Sequence, residues 1–239
     1  MLSLQTDEVH IHVLRPGLCK ASDEEILDHD EQQRAHLFKF PRDRDLYVSA
    51  HSFLRQVLSR YAPVAPGDWR FRLNPHGKPA IADPEHCWLH FNLSHTHGMV
   101  ACAVANNRQI GIDVEHGKRR IDVALLCQHV FSGIEAADVL SASNLEEQER
   151  RFFSYWTLKE AYIKAKGLGL SLPLQQFSIT KTAKQNWRLQ YAPGFKDPGE
   201  NWQFGAKCLG DSHYLAYCVQ IGGPGEAIQQ LTVRLVEAG

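Results

Sequence analysis

The chain has 239 residues, 44% of them hydrophobic and 22% charged, ordinary values for a folded globular protein with room for one large domain or two modest ones. With 26 basic against 27 acidic residues, the formal net charge is −1. No global field therefore draws the chain to nucleic acid or an anionic membrane, and disordered or collagen-like character is excluded.

Residues 9–14, Val-His-Ile-His-Val-Leu, alternate like a half-buried strand. Ser22-Asp23-Glu24-Glu25 has capping-box spacing and predicts a helix running to about Phe38. Pro41 interrupts it, and a second helix is expected from Arg42 to about Tyr61. A strand near Trp69–Leu73 leads into a turn at Asn74-Pro75-His76-Gly77. Strands are then expected over Trp88–Ser94, Met99–Ala105 and Gln109–Glu115. Beyond a basic linker, His116–Arg120, the pattern turns helical at about 121–129, 132–142 and 146–166, where Gly167 and Gly169 stop the last helix. Five more strands follow: Phe177–Thr180, Trp187–Tyr191, Trp202–Leu209, Tyr214–Ile221 and Leu231–Val236. The order of helices then strands occurs twice and predicts an α+β protein of two similar halves, 1–120 and 121–239, with a ligand cleft between them.

No apolar run reaches the length of a membrane span, and the opening MLSLQTDEVHIHVL lacks a secretory leader. The six cysteines, Cys19, Cys87, Cys102, Cys127, Cys208 and Cys218, form no C-x-x-C pair. Several lie in apolar runs, so they read as reduced thiols of a cytoplasmic protein.

Four constellations could carry chemistry. In Gly111-Ile112-Asp113-Val114-Glu115, strand alternation puts Asp113 and Glu115 on one face, where paired carboxylates favour a hard cation such as Mg2+. In Trp156-Thr157-Leu158-Lys159-Glu160-Ala161-Tyr162-Ile163-Lys164, Trp156, Glu160 and Lys164 fall on one helical stripe. Asn92-Leu93-Ser94-His95 ends a strand and offers a hydroxyl and an imidazole to a phosphate, or a Ser–His pair if the strand distorts. Arg42 and the Gly77-Lys78-Pro79 turn supply cations. Taken singly, each is also an ordinary surface or core feature.

Their succession, with Phe131-Ser132-x-x-Glu135 between the acidic strand and the long helix, resembles the 4'-phosphopantetheinyl transferases over roughly residues 40–175. Chain length and the two halves resemble the larger, surfactin-synthetase-activating (Sfp-like) type. The resemblance implies transfer of the 4'-phosphopantetheine arm of coenzyme A to a serine of an apo carrier protein, acyl, peptidyl or aryl, with release of adenosine 3',5'-bisphosphate. It implies Mg2+ on Asp113, Glu115 and Glu160, with Glu160 also the general base and Lys164 facing the pyrophosphate. By the same resemblance Arg42, Lys78, Ser94, His95 and Lys164 contact the coenzyme A phosphates. The pathway of the carrier is not read. A monomer is expected, with neither nucleic acid nor membrane as partner. An acidic carrier would dock on Lys118-Arg119-Arg120 or on the apolar residues near Val130-Phe131. Two rivals are a metal-dependent nuclease, since acidic residues with a nearby lysine occur in such sites, and a non-catalytic coenzyme A or nucleotide-binding module.

Overall fold

The computed structural model describes residues 1–17, 21–117, 121–184, 186–195, 199–223 and 226–237. The chain opens with β1 (Glu8–Leu14), followed by α1 (Ala21–Glu25), α2 (His29–His36) and α3 (Pro41–Leu58). β2 (Phe71–Leu73) and β3 (Pro79–Ile81) form a small hairpin. β4 (Leu89–Thr96), β5 (Met99–Asn106) and β6 (Ile110–His116) come next. Three helices follow, α4 (Val123–Val130), α5 (Gly133–Leu140) and α6 (Leu145–Lys166). β7 (Phe177–Lys181) and β8 (Trp187–Tyr191) pair as a second hairpin. β9 (Asn201–Leu209), β10 (His213–Gly222) and β11 (Thr232–Glu237) end the order.

The expected first helix is broken. Asp28 accepts a hydrogen bond from the Glu31 amide at 2.9 Å, and the Glu31 carboxylate accepts from the Asp28 amide at 3.1 Å. This capping box starts α2 afresh. The fully buried Arg55 guanidinium of α3 holds both acids, 2.8 Å from Asp28 and 2.7 Å from Glu31. A long-range ion pair thus outweighs the local signal at Ser22. Pro41 sits in the first turn of α3, where its missing N–H costs nothing.

Two sheets carry the fold, in the orders β11-β1-β5-β4 and β6-β10-β9. The neighbours β1-β5-β4 and β6-β10-β9 are all antiparallel, and in each set the helices fall between the first and second strands in sequence. The architecture is therefore two α+β units of the same topology. Their sheets share a core in which Val9, Ile11 and Ala103 meet Ile112, Val114 and Leu215. The division expected at residue 120 would leave residues 110–116 with the first unit. The hydrogen bonding instead puts β6 at the head of the second sheet, and β11 returns to pair in parallel with β1.

On the other face of β1, His10 Nδ1 and His12 Nε2 lie 2.8 and 2.6 Å from the Tyr61 hydroxyl. One hydroxyl proton cannot serve both rings. Arg60 approaches His12 Nδ1 at 3.5 Å, which marks that nitrogen as an acceptor. His12 Nε2–H then donates to Tyr61, and Tyr61 donates to His10 Nδ1, so both imidazoles are neutral. Burial lowers both pKa values; that of His12, with Arg60 adding to the effect, falls to about 4. An unfolded histidine titrates near 6.5, so between these values the unfolded chain binds more protons. This contribution is complete above pH 6.5 and is lost as the pH falls towards 4. Urea unfolding at pH 8 and pH 5 is expected to show a loss of about 2 kcal/mol from His12, and His12→Gln should remove that part of the slope.

Among the described residues, Cys102, Cys127 and Cys218 are buried free thiols, and Cys87 and Cys208 are exposed ones. Cys19 lies outside the described residues. No described helix is long and apolar enough to cross a membrane.

Candidate active site

The site forms where β4 lies against the edge of β6 that β10 leaves open. Side chains replace a backbone ladder there. Asn92 Oδ1 accepts from the Ile112 amide at 2.8 Å, and Ser94 Oγ accepts from the Val114 amide at 3.2 Å. Two residues apart, Asn92 and Ser94 share a face of β4. Ile112 and Val114 enter the core, which turns Asp113 to the opposite side of β6.

Asp113 is buried there. Its Oδ1 accepts from the Ser94 hydroxyl at 3.0 Å and from the Lys164 ammonium at 2.6 Å. Lys164 also donates to Ser94 Oγ at 2.9 Å. Asp113 Oδ2 is buried with no hydrogen-bond partner among the described residues. The strand's acid and the helix's lysine, 51 positions apart, thus meet directly.

Gly111 permits that meeting. A Cβ built on it would overlap the Ala161 carbonyl oxygen and the Ala165 amide nitrogen, with the Ala165 Cα at 3.0 Å. The backbone of α6 therefore rests on the backbone of β6, and Glu160 and Lys164 are carried over the acidic strand. Burial pushes the Glu160 carboxyl up; Asp113 and Glu115 add to the rise and Lys164 opposes it. Glu115 Oε1 accepts from the Trp156 indole N–H at 3.2 Å, and Trp156 lies nearly parallel to Phe152, at 7°. The indole one turn before Glu160 thus orients the second acid of the strand, a role that the helical stripe alone does not reveal.

Among the described residues, no three carboxylates, imidazoles or thiols converge into a preformed metal cage. The donor set nevertheless fits a hard cation. Asp113 keeps an unpartnered buried oxygen, Glu160 feels the charge of both other acids, and Mg2+ ordinarily takes one or two carboxylates, with phosphate oxygens and water completing its octahedron.

Other candidate residues fall in distinct places. His95, next to Ser94, points away from Asp113, as strand alternation requires. Crowding by protein, and then His51 and Lys164, lower its pKa to about 4, although solvent reaches the ring. Lys78 donates from its ammonium to the carbonyls of Ile110 at 3.1 Å and Ala165 at 2.7 Å, and burial lowers its pKa to about 8. Arg42, in the first turn of α3, is 79% exposed and pairs with Asp43 at 3.3 Å. A cleft of about 300 Å3 opens between the 76–79 turn and α6; Lys78, Pro79, Asn92, Glu160, Lys164 and Gly167 are among its walls.

Two motif residues serve the framework. Lys159 and Glu135 are fully buried and paired at 2.6 Å. Glu135 also accepts from the Ser132 amide and hydroxyl and from the Ile179 amide, at 2.9, 2.8 and 2.8 Å. Lys159 donates to the Phe177 carbonyl at 2.6 Å as well. Every polar atom of the pair has a partner, the condition under which a buried ion pair is tolerated. The spacing Ser132–Glu135 signals the helix cap; its buried cation comes from 24 residues away. Phe131, expected on a docking surface, is 2% exposed and packs in the core beneath α4 and α5. Lys118-Arg119-Arg120 lies outside the described residues.

The family model for the 4'-phosphopantetheinyl transferase superfamily matches residues 109–218, and the model for "4'-phosphopantetheinyl transferase, N-terminal" matches residues 21–107. The chain is 35% identical over 198 residues to 4'-phosphopantetheinyl transferase HetI of Nostoc sp., covering 81% of this chain and 83% of that one. It is 35% identical over 152 residues to 4'-phosphopantetheinyl transferase Sfp of Bacillus subtilis, covering 63% of this chain and 64% of Sfp. Among solved structures, the holo-[acyl-carrier-protein] synthase of Thermotoga maritima aligns over 47% of this chain and 62% of its own, at 19% identity and a TM-score of 0.39. The chain belongs to the 4'-phosphopantetheinyl transferase superfamily.

Proposed function

We infer that the chain transfers the 4'-phosphopantetheine arm of coenzyme A to a serine of an apo carrier protein, as a transferase of the larger, two-unit, Sfp-like type. The observation that carries this reading is the meeting of Asp113, Glu160 and Lys164 across β6 and α6, beside a cleft of about 300 Å3 that Glu160 and Lys164 line. Support for the subtype is the presence of both α+β units in one chain and the identity shared with Sfp.

In the reaction the carrier's serine oxygen bonds to the β-phosphorus of coenzyme A. The bridging P–O bond breaks, and adenosine 3',5'-bisphosphate leaves with the electron pair. Glu160 takes the serine proton; its raised pKa brings it closer to the range in which a carboxylate is an effective base. Asp113, Glu115 and Glu160 would hold Mg2+, which when bound would neutralise charge on the diphosphate. Lys164 directs its ammonium to the leaving phosphate oxygens, and Ser94 keeps that ammonium in line. His95, beside Lys164, gives the phosphates an imidazole whose pKa rises when an anion is near. A restriction-type nuclease would place its glutamate and lysine two apart on a strand; here they lie one turn apart on α6.

The test is mass spectrometry of a panel of apo carriers incubated with the protein, coenzyme A and Mg2+. At least one carrier is expected to gain the mass of phosphopantetheine. Coenzyme A binding without any mass gain across the panel would instead favour a non-catalytic binding module.

A further inference from the structure

Helix α6 ends at Gly167, whose φ of +63° is the left-handed cap. Such an end leaves carbonyls without intrahelical partners, and here two of them are met from the other unit. Lys78 Nζ donates to the Ala165 carbonyl at 2.7 Å, and Asn74 Nδ2 donates to the Gly167 carbonyl at 2.7 Å. The same ammonium reaches the Ile110 carbonyl at the start of β6. The turn that supplies both donors is itself braced. Asn74 Oδ1 accepts from the amides of His76 and Lys78 at 2.9 and 2.8 Å, and the Asn74 amide donates to the Lys78 carbonyl at 3.0 Å. The fit is close: a Cβ on Gly167 would lie 2.8 Å from Lys78 Cδ and 2.9 Å from Asn74 Nδ2.

We propose that Asn74 and Lys78 form a clasp that ties the β2–β3 turn to the end of α6 and the start of β6, so that Lys78 acts on the reaction as a positioning residue rather than as a phosphate ligand. The turn and the last turns of α6 are facing walls of the 300 Å3 cleft. The clasp therefore sets how far that wall stands from Glu160 and Lys164. A half-buried cation whose two donated bonds both go to carbonyls suits a tie; a phosphate ligand needs its donors turned to solvent until the substrate arrives. The proposal rests on the reading of this cleft as the coenzyme A site.

The experiment uses the full chain with Lys78→Met and, separately, Asn74→Ala. In ligand-free protein, amide hydrogen exchange of the segment spanning residues 160–169 is expected to quicken about tenfold or more in both variants, because the cap of α6 is released. With coenzyme A, KM is expected to rise about tenfold in both, while kcat falls by less than about threefold. Asn74 is uncharged, so its effect on KM cannot come from lost attraction to phosphate. A purely structural loss would lower the active fraction, and hence kcat, with KM unchanged. The proposal is overturned if Asn74→Ala keeps wild-type exchange and KM. It is also overturned if Lys78→Met raises KM while ligand-free exchange stays at the wild-type rate. Absence of transfer by the wild-type protein would remove the functional reading but leave the exchange result standing.

Discussion

Glu160→Gln is expected to lower kcat about a thousandfold, within the range found when a positioned general base is removed, while leaving the fold at least as stable as before. The two halves of this expectation have one cause. Burial and the charges of Asp113 and Glu115 make an ionised Glu160 unfavourable, so a neutral amide of the same shape relieves repulsion. The same amide cannot accept the serine proton and is a poorer cation ligand. Urea unfolding should show no loss of stability, and the carrier mass-shift assay should show the fall in rate. Titration with Mg2+ separates the two roles. If saturating Mg2+ restores kcat, the proton-accepting role is wrong and only the ligand role survives; if the deficit persists at saturation, the proton-accepting role stands, and a raised Mg2+ requirement marks the ligand role.

Gly111→Ala should be more damaging than its single carbon implies. The added Cβ meets backbone, the Ala161 carbonyl and the Ala165 amide and Cα, not the end of a flexible side chain. Overpacking of a close-packed interior costs about 1–3 kcal/mol and more where neighbours cannot move. Here the neighbour is a 22-residue helix packed against the second sheet's core, so a loss of about 3 kcal/mol or more is expected in urea unfolding. Any relief must come from α6 lifting off β6, which draws Lys164 away from Asp113 and Ser94. Activity should therefore fall further than the folded fraction does. If kcat per folded molecule equals wild type, the contact between strand and helix does not set the site's geometry.

The sequence made some of this plain and left the rest hidden for identifiable reasons. The span of α6 and its stop at Gly167 follow from local chemistry, and the structure has them within a residue of expectation. The strands β4, β5, β6 and β8 likewise begin and end close to where alternation places them. The break between α1 and α2 was not readable, because Arg55 of α3 supplies the buried cation that rewards Asp28 and Glu31. The position of β6 in the second sheet depends on its register with β10, about a hundred residues later, and no local pattern encodes that. At the site, the acidic pair and the Glu160–Lys164 spacing could be singled out. The indole bond from Trp156 to Glu115, the burial of Lys159 against Glu135, and the turning of Lys78 towards carbonyls could not. Each depends on a partner at least 18 residues away in sequence, as the Lys159–Phe177 bond illustrates.

The parallel pairing of β1 with β11, from Glu8 opposite Thr232 to Val13 opposite Glu237, bears on how the molecule is made. The sheet begun by residue 8 lacks its outer strand until residue 237 has emerged from the ribosome. A nascent chain therefore waits, while all the residues between the two strands are made, with one flank of β1 uncovered. Ribosome-stalled chains released just before and just after β11 should differ sharply in resistance to protease, with the late step guarding both units at once.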